Sequence, residues 1–96
     1  MHVLILRADL HVPAAQSLKA KRSAVTPVIR HIDGLNGVAA AEVDFSDKWQ
    51  RTALGVSIVG NAVSHLEQTA DEVERYLWSR PDIEVLDVQR SWWDEE

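Results

Sequence analysis

Every second residue from Leu4 to Val12 is apolar, within the segment Val3 to Val12 at the start of the chain. One side of this segment carries Leu4, Leu6, Ala8, Leu10 and Val12. The other side carries Ile5, Arg7, Asp9 and His11. Because successive side chains of a strand point to opposite faces, the alternation predicts a half-buried β-strand. Pro13 lacks a backbone N–H and is expected to end it.

An apolar stripe at helical spacing follows this first strand. It consists of Leu18, Val25, Val28, Ile29 and Ile32. Ser17 is suited to cap the start of the helix, because its hydroxyl can accept a hydrogen bond from a free N–H of the first turn. Gly34 is expected to end the helix.

Pro27 conflicts with a regular first helix. Its ring removes one backbone hydrogen bond and crowds the carbonyl of Ser23. At 100° per residue Pro27 lies opposite the apolar stripe, so a kink on the solvent side is expected. The alternative is a break, with Thr26 capping a shorter helix.

Two further strands are predicted in the middle of the chain. In the segment from Val38 to Phe45, the inward positions are expected to be Ala39, Ala41, Val43 and Phe45, and the outward positions Glu42 and Asp44. The segment from Gln50 to Val59 has Leu54, Val56 and Ile58 inward. The short polar connection between these segments predicts a β-hairpin.

The last part of the chain predicts a second helix and a fourth strand. Asn61 is the expected cap of a helix from about Ala62 to Ser79, which Pro81 follows. Its apolar face consists of Leu66, Ala70, Val73 and Leu77. A strand from Ile83 to Val88 can extend to Trp93, and the acidic residues 94–96 are expected to be frayed.

The resulting order, β-α-β-β-α-β, predicts an α+β ferredoxin-like fold over residues 1–96 as a single domain. Two right-handed crossovers joined by a hairpin place both helices on one face of a four-stranded antiparallel sheet. The other face stays open. Its expected side chains are mostly polar: Arg7, Asp9, His11, Glu42, Asp44, Ser57, Asp87 and Gln89.

Composition and motifs exclude several classes of function. The chain has no cysteine, and Arg7 and Asp9 interrupt the only apolar opening, so a cytoplasmic location is expected. The longest stretch without charged residues, Thr52 to Leu66, is too short for a membrane span. No nucleophile elbow or phosphate-binding glycine loop occurs, and the closest His–carboxylate pairs are two residues apart on helices. We therefore expect no enzymatic activity, no metal and no cofactor.

Basic residues concentrate in the first part of the chain. Although the net charge is −5, seven of the ten basic residues precede Leu54, against five acids. The candidate phosphate-binding residues are Lys19, Lys21, Arg22, Arg30, Lys48 and Arg51. Three of them, Lys19, Arg22 and Arg30, share one flank of the first helix. The alternative is a solvated flank that offsets the acidic second helix.

Four tryptophans are candidate partner contacts: Trp49, Trp78, Trp92 and Trp93. Exposed aromatic side chains often mark an interaction surface. The alternative is that they cover the end of the sheet. Base stacking on the open face is disfavoured, because Ile5 and Arg7 in the first strand and Ala53, Gly55 and Ser57 in the third occupy the outward positions.

Several strings of residues resemble the YlxP-like family across nearly the whole chain. They are Leu6-Arg-Ala-Asp-Leu-His-Val-Pro, Ser17-Leu-Lys-Ala-Lys-Arg, Ala41-Glu-Val-Asp, Asp47-Lys-Trp-Gln-Arg, Leu54-Gly-Val and His65-Leu-Glu-Gln. The resemblance implies a ferredoxin-like fold, no established activity, and genes commonly set beside those for translation initiation and ribosome maturation factors. Pro27 departs from the family pattern.

Two functions fit these features of the chain. The first is a non-enzymatic accessory factor that binds structured RNA or a ribosomal particle through the basic residues, with no DNA partner expected. The second is a homodimeric module that binds a protein or small ligand, pairing through the open sheet face or the tryptophan-bearing edge. An acylphosphatase-like enzyme is disfavoured, because the loop Pro13-Ala-Ala-Gln has neither glycine nor arginine.

Overall fold

The computed structural model describes residues 1–93. Its elements are β1 (His2–His11), α1 (Leu18–Asp33), β2 (Val38–Asp44), β3 (Arg51–Gly60), α2 (Val63–Ser79) and β4 (Glu84–Trp93). The strands form one antiparallel sheet in the order β2-β3-β1-β4. The predicted βαββαβ fold is confirmed, and the last strand extends to Trp93. The expected fraying of residues 94–96 lies outside the described residues.

One hydrophobic core lies between the sheet and the two helices. All five apolar positions predicted on the inner side of the first strand are buried: Leu4, Leu6, Ala8, Leu10 and Val12. The predicted face of α2 is buried as well, at Leu66, Ala70, Val73 and Leu77. Since residues of α1 and α2 belong to the same core cluster, both helices cover one face of the sheet. His31 of α1 also stacks on Tyr76 of α2, with ring centroids 3.8 Å apart.

Helix α1 passes through Pro27 without a break, so the alternative of a shorter helix capped by Thr26 is wrong. Pro27 is exposed. The carbonyl of Ser23 that loses its helical partner therefore lies on the solvent side of the helix, where water can satisfy it. The buried side of the same helix keeps its apolar stripe at Val25, Val28 and Ile32.

The two helices begin differently. The Ser17 hydroxyl accepts a hydrogen bond from the N–H of Ala20 at 3.0 Å, as predicted. The predicted cap at Asn61 is wrong: the N-cap of α2 is Ala62, which makes no side-chain cap bond. The backbone of Ala62 is still extended, so the helix starts one residue later than an Asn61 cap requires.

This difference predicts unequal effects of two similar substitutions. Ser17→Ala is expected to lower the free energy of unfolding by about 1 kcal/mol, because it leaves a first-turn N–H without its acceptor. Asn61→Ala is the matched control and should change it by less than about 0.5 kcal/mol. Urea unfolding measures both, and equal losses would contradict the cap assignment.

The orientation predicted for the second strand is wrong. Val38, Ala40 and Glu42 lie on the helix side of β2, opposite Ile58, Val56 and Leu54 of β3. Ala39 and Ala41 lie on the open face, opposite Ser57 and Gly55. The prediction rests on the apolar side chains of a strand in which three of the seven residues are alanine, whereas the observed orientation follows from pairing with the strongly apolar strand β3.

A bulge and a tight turn end β2. The register with β3 shifts between Glu42 and Asp44, which returns Asp44 to the open face. Phe45 then adopts a positive φ of 61°, a conformation that costs energy for a bulky residue. Its carbonyl accepts hydrogen bonds from the N–H of Lys48 and from the ammonium of Lys21, which hold the turn in place.

Within residues 1–93, neither helix combines the length and the apolar character that crossing a membrane requires.

Candidate nucleic-acid interface

The structure separates the six predicted phosphate-binding residues into three groups: four exposed cations, the buried Lys21, and Arg51, which is partly engaged with Asp9. Lys19, Arg22 and Arg30 lie on the flank of α1 that faces away from the core, and Lys48 is exposed in the β2–β3 turn. None of these four makes an ion pair with another residue in the described part of the chain. Their charges are therefore open to an anionic partner.

The prediction that Lys21 binds phosphate is wrong. Its side chain is 2% exposed and belongs to the core side of α1, so it cannot bind phosphate at the surface. The spacing signals this position, because Lys21 lies three residues after Leu18 and four before Val25, within the apolar stripe. The prediction followed the charge of Lys21 and placed it with the exposed residues.

The ammonium of Lys21 joins α1 to the β2–β3 hairpin. It donates hydrogen bonds to the carbonyl oxygens of Phe45 at 2.9 Å, Ser46 at 3.3 Å and Arg51 at 3.3 Å. The carboxylate of Glu42 lies 3.1 Å away. A buried ammonium needs both a counter-charge and partners for its three N–H groups. This site provides both.

Glu42 reaches this position because β2 points it towards the helices. Its carboxylate also accepts a hydrogen bond from the hydroxyl of Thr52, which is fully buried. Lys21, Glu42 and Thr52 thus form one polar cluster, contributed by α1, β2 and β3. We call these three residues the junction cluster.

The hairpin is also fixed to the loop before α1. The Gln50 side-chain amide donates to the carbonyls of Pro13 at 3.3 Å and Ala15 at 3.1 Å. The N–H of Val12 donates to the carbonyl of Gln50 at 2.9 Å. Together with the junction cluster, these bonds hold the turn that carries Lys48 and Trp49 against the N-terminal end of α1.

Trp49 lies at the tip of this hairpin with about half of its surface exposed. A shallow hollow beside it is lined by Phe45, Asp47, Lys48, Trp49, Gln50 and Arg51. The Arg51 guanidinium lies 4.5 Å above the ring of Phe45 and 3.8 Å from Asp9. Arg51 is therefore partly engaged within the protein, whereas the indole of Trp49 is exposed beside Lys48.

The open face carries a separate ionic network. Arg7 donates to Asp9 at 3.3 Å and to Asp44 at 3.1 Å. The Arg7 hydrogen bond, together with the N–H of Phe45, holds the pKa of Asp44 below its usual value. The pKa of Arg7 is raised by its hydrogen bonds to Asp9 and Asp44. These charged side chains form ion pairs with one another, whereas the cations of the α1 flank have no ion pair among the described residues.

The other tryptophans lie apart from the hairpin. Trp78 is on α2 and is 68% exposed, beside the acidic residues Asp71 and Glu74. Arg90 of β4 binds both of these carboxylates, which raise its pKa although burial acts in the opposite direction. Trp92 shares the helix side with its partner Leu4, and Trp93 shares the open face with its partner Val3.

No group of three or more His, Asp or Glu side chains among residues 1–93 is placed to hold a metal ion. His11 pairs with Glu84 at 3.6 Å, and His31 stacks on Tyr76.

The chain is similar to a protein family, to a curated protein and to a solved structure. Residues 3–90 match a family model described as a protein of unknown function (DUF503). The chain is 28% identical over 78 residues to the uncharacterized protein YlxP of Bacillus subtilis (strain 168), covering 81% of this chain and 85% of that protein. A solved structure described as structural-genomics protein YJCS matches with a TM-score of 0.55 over 93% of this chain and 96% of that one. At 12% identity, that likeness concerns the fold alone.

Proposed function

The chain belongs to the DUF503 family, and from this premise we propose that it is a non-enzymatic cytoplasmic factor that binds RNA, free or in a ribosomal particle. The binding surface consists of Lys19, Arg22, Arg30, Lys48 and Trp49. We call it the basic surface. The resemblance to YlxP-like proteins supports the link to the ribosome, through the genes that commonly lie beside theirs.

The observation that carries the proposal is the set of unpaired cations. Arg7, Lys21, Arg51 and Arg90 are each neutralised by a carboxylate of the protein itself. The four cations of the basic surface have no such partner among the described residues, and neither do Arg75 and Arg80, which lie on α2 and at its end, outside that surface. In a chain of net charge −5, cations left unpaired on one side provide a local attraction for phosphates.

The length of the basic surface suits a nucleic-acid strand. With a rise of about 1.5 Å per residue, Lys19 and Arg30 lie about 17 Å apart along α1. The hairpin adds Lys48 and Trp49 near the N-terminal end of the same helix. RNA-binding proteins commonly combine phosphate contacts with the stacking of unpaired bases on exposed aromatic rings. Trp49 supplies such a ring, in place of the aromatic residues that the central strands of the open face lack.

The test is binding of a short, fluorescently labelled single-stranded RNA of mixed sequence, and of purified bacterial ribosomal subunits. Replacing Lys19, Arg22 and Arg30 together with alanine is expected to raise the Kd at least about tenfold at low salt. The slope of log K against log salt should flatten by about 0.7 for each phosphate of single-stranded RNA that the variant no longer neutralises. The weakening should be similar for all RNA sequences, because phosphate contacts do not distinguish bases.

Arg75→Ala is the matched control, since it removes an exposed cation from α2 rather than from α1. It should leave both the Kd and the salt slope unchanged. Trp49→Ala should weaken binding to single-stranded RNA without changing the salt slope, because stacking releases no counterions. Equal binding by the triple variant and the unmodified protein, or no RNA binding by the unmodified protein, overturns the proposal.

A further inference from the structure

One half of the open sheet face is apolar, in contrast to the mostly polar face that the sequence predicts. Val3 of β1 lies opposite Val59 of β3 and Trp93 of β4. In the next row, Ile5 lies between Ser57 and Ser91. Neither row contains a charged side chain. The large apolar side chains exposed in these two rows, Ile5, Val59 and Trp93, keep 39% to 49% of their surface accessible. Val43 is 56% exposed and lies beside Gly55, in the next row, which also contains Arg7.

A shallow groove runs through this apolar half. Its floor is formed by the small residues Ala39, Ala41, Gly55 and Ser57, and its walls by Ile5 and Val43. The absence of a side chain at Gly55 is required here, because a Cβ on this residue would lie 2.6 Å from a methyl group of Val43. The groove lies on the β2 side of the face, whereas the indole of Trp93 lies on the β4 side.

We propose that this face binds a second copy of the chain, forming a face-to-face homodimer with the helices outside. A groove and a large aromatic side chain on opposite sides of one face are what a two-fold interface needs, because each copy then offers both halves of the contact. A two-fold axis parallel to the strands places β4 of one copy over β2 of the other. Trp93 of each copy then lies over the β2 side of its partner, one row of side chains away from Ala39 and Ser57 at the near end of the groove.

The size of the face matches this occupant. Four strands about 4.8 Å apart and up to ten residues long, at about 3.3 Å per residue, cover about 600 Å² in projection. Standard interfaces bury about 800 Å² of accessible surface on each partner. A face with protruding side chains has more accessible surface than its projected area, so the two values agree. Two sheets packed face to face in this way resemble the two layers of a β-sandwich.

The charges of the face also fit an interface. The Val3 and Ile5 rows have none, and the polar half carries them mainly in pairs: Arg7 with Asp9 and Asp44, and Arg51 with Asp9. Burial of the apolar half therefore leaves no charged group buried without a partner, and the polar half forms the rim of the interface. Lys19, Arg22 and Arg30 of the basic surface lie on the helix layer, and Lys48 and Trp49 lie in the β2–β3 turn at the polar end of the sheet. The basic surface therefore stays accessible in the dimer, so the two proposals can fail separately.

Sedimentation equilibrium over a range of concentrations tests the dimer. The expected mass is twice the 10.8 kDa of one chain, with a Kd of about micromolar order. Ile5→Glu combined with Val59→Glu should return the protein to monomers, since it places carboxylates in the apolar half. Trp78→Glu, on the exposed side of α2, is the matched control and should leave the mass unchanged.

The effect of salt on dimerisation distinguishes this interface from the main alternative, in which the basic flank of α1 contacts the acidic helix α2 of another copy. An apolar interface should persist or strengthen in high salt, whereas the electrostatic contact should dissociate. The Ile5/Val59 variant should keep its circular dichroism spectrum and its RNA affinity per chain. A monomeric mass at all concentrations, a dimer that survives the Ile5/Val59 variant, or a dimer that dissociates in high salt overturns the proposal.

Discussion

Lys21→Met is expected to lower the free energy of unfolding by about 3 kcal/mol, the low end of the cost of breaking a buried ion pair. Methionine keeps the apolar stem of lysine but leaves Glu42 without its cation and removes the ammonium hydrogen bonds to the carbonyls of Phe45, Ser46 and Arg51. We take the low end because the Glu42 side chain retains a quarter of its exposure, so water can reach the stranded carboxylate. Urea unfolding with a constant slope measures the loss.

Two variants control for this effect. Lys19→Met makes the same change on the outer flank of α1 and should alter stability by less than about 0.5 kcal/mol. Lys21→Met combined with Glu42→Met should be more stable than the sum of the single effects predicts, by more than about 1 kcal/mol, because the stranded charge is gone. Additive effects would show that Lys21 and Glu42 do not depend on each other.

Leu66→Ala and Leu77→Ala should each cost about 2 to 5 kcal/mol, because both side chains are almost fully buried between α2 and the sheet. Truncation of the side chain to a methyl group leaves a cavity that the surrounding core fills only in part. The spread within this range depends on how far the neighbouring side chains can collapse into the space.

Leu86→Ala is the matched control, since Leu86 of β4 is about half exposed and the substitution removes the same atoms. It should cost less than about 1 kcal/mol. Losses at Leu66 and Leu77 as small as the loss at Leu86 would mean that the helical face of α2 is placed incorrectly. Thermal unfolding of all three variants at one protein concentration makes the comparison.

The parts of the fold that the sequence predicts correctly depend on local periodicity. In β1 every second residue from Leu4 to Val12 is apolar, and in α2 Leu66, Ala70, Val73 and Leu77 recur at helical spacing. Each pattern fits one way of burying apolar surface. The order of these elements, with the known handedness of crossover connections, is then sufficient to place both helices on one face.

Local patterns did not determine the orientation of β2. Alanine occupies both faces of this strand, so hydrophobicity hardly distinguishes them. The orientation of β2 is determined by residues that are distant in sequence. Ile58 and Val56 of β3 pair with Val38 and Ala40, and Lys21 of α1 forms an ion pair with Glu42. A buried charge identifies its partner only once the chain has folded.

The spacing of apolar residues along the chain is thus enough to predict the helices and strands and the faces of β1, α1, β3 and α2 that meet the core. Long-range contacts are needed to explain why Lys21 is buried, why Lys19, Arg22 and Lys48 have no ion-pair partner in the described chain, and why half of the open face is apolar. Those properties arise from pairing between distant segments, where the register of one strand against another determines which side chains face solvent.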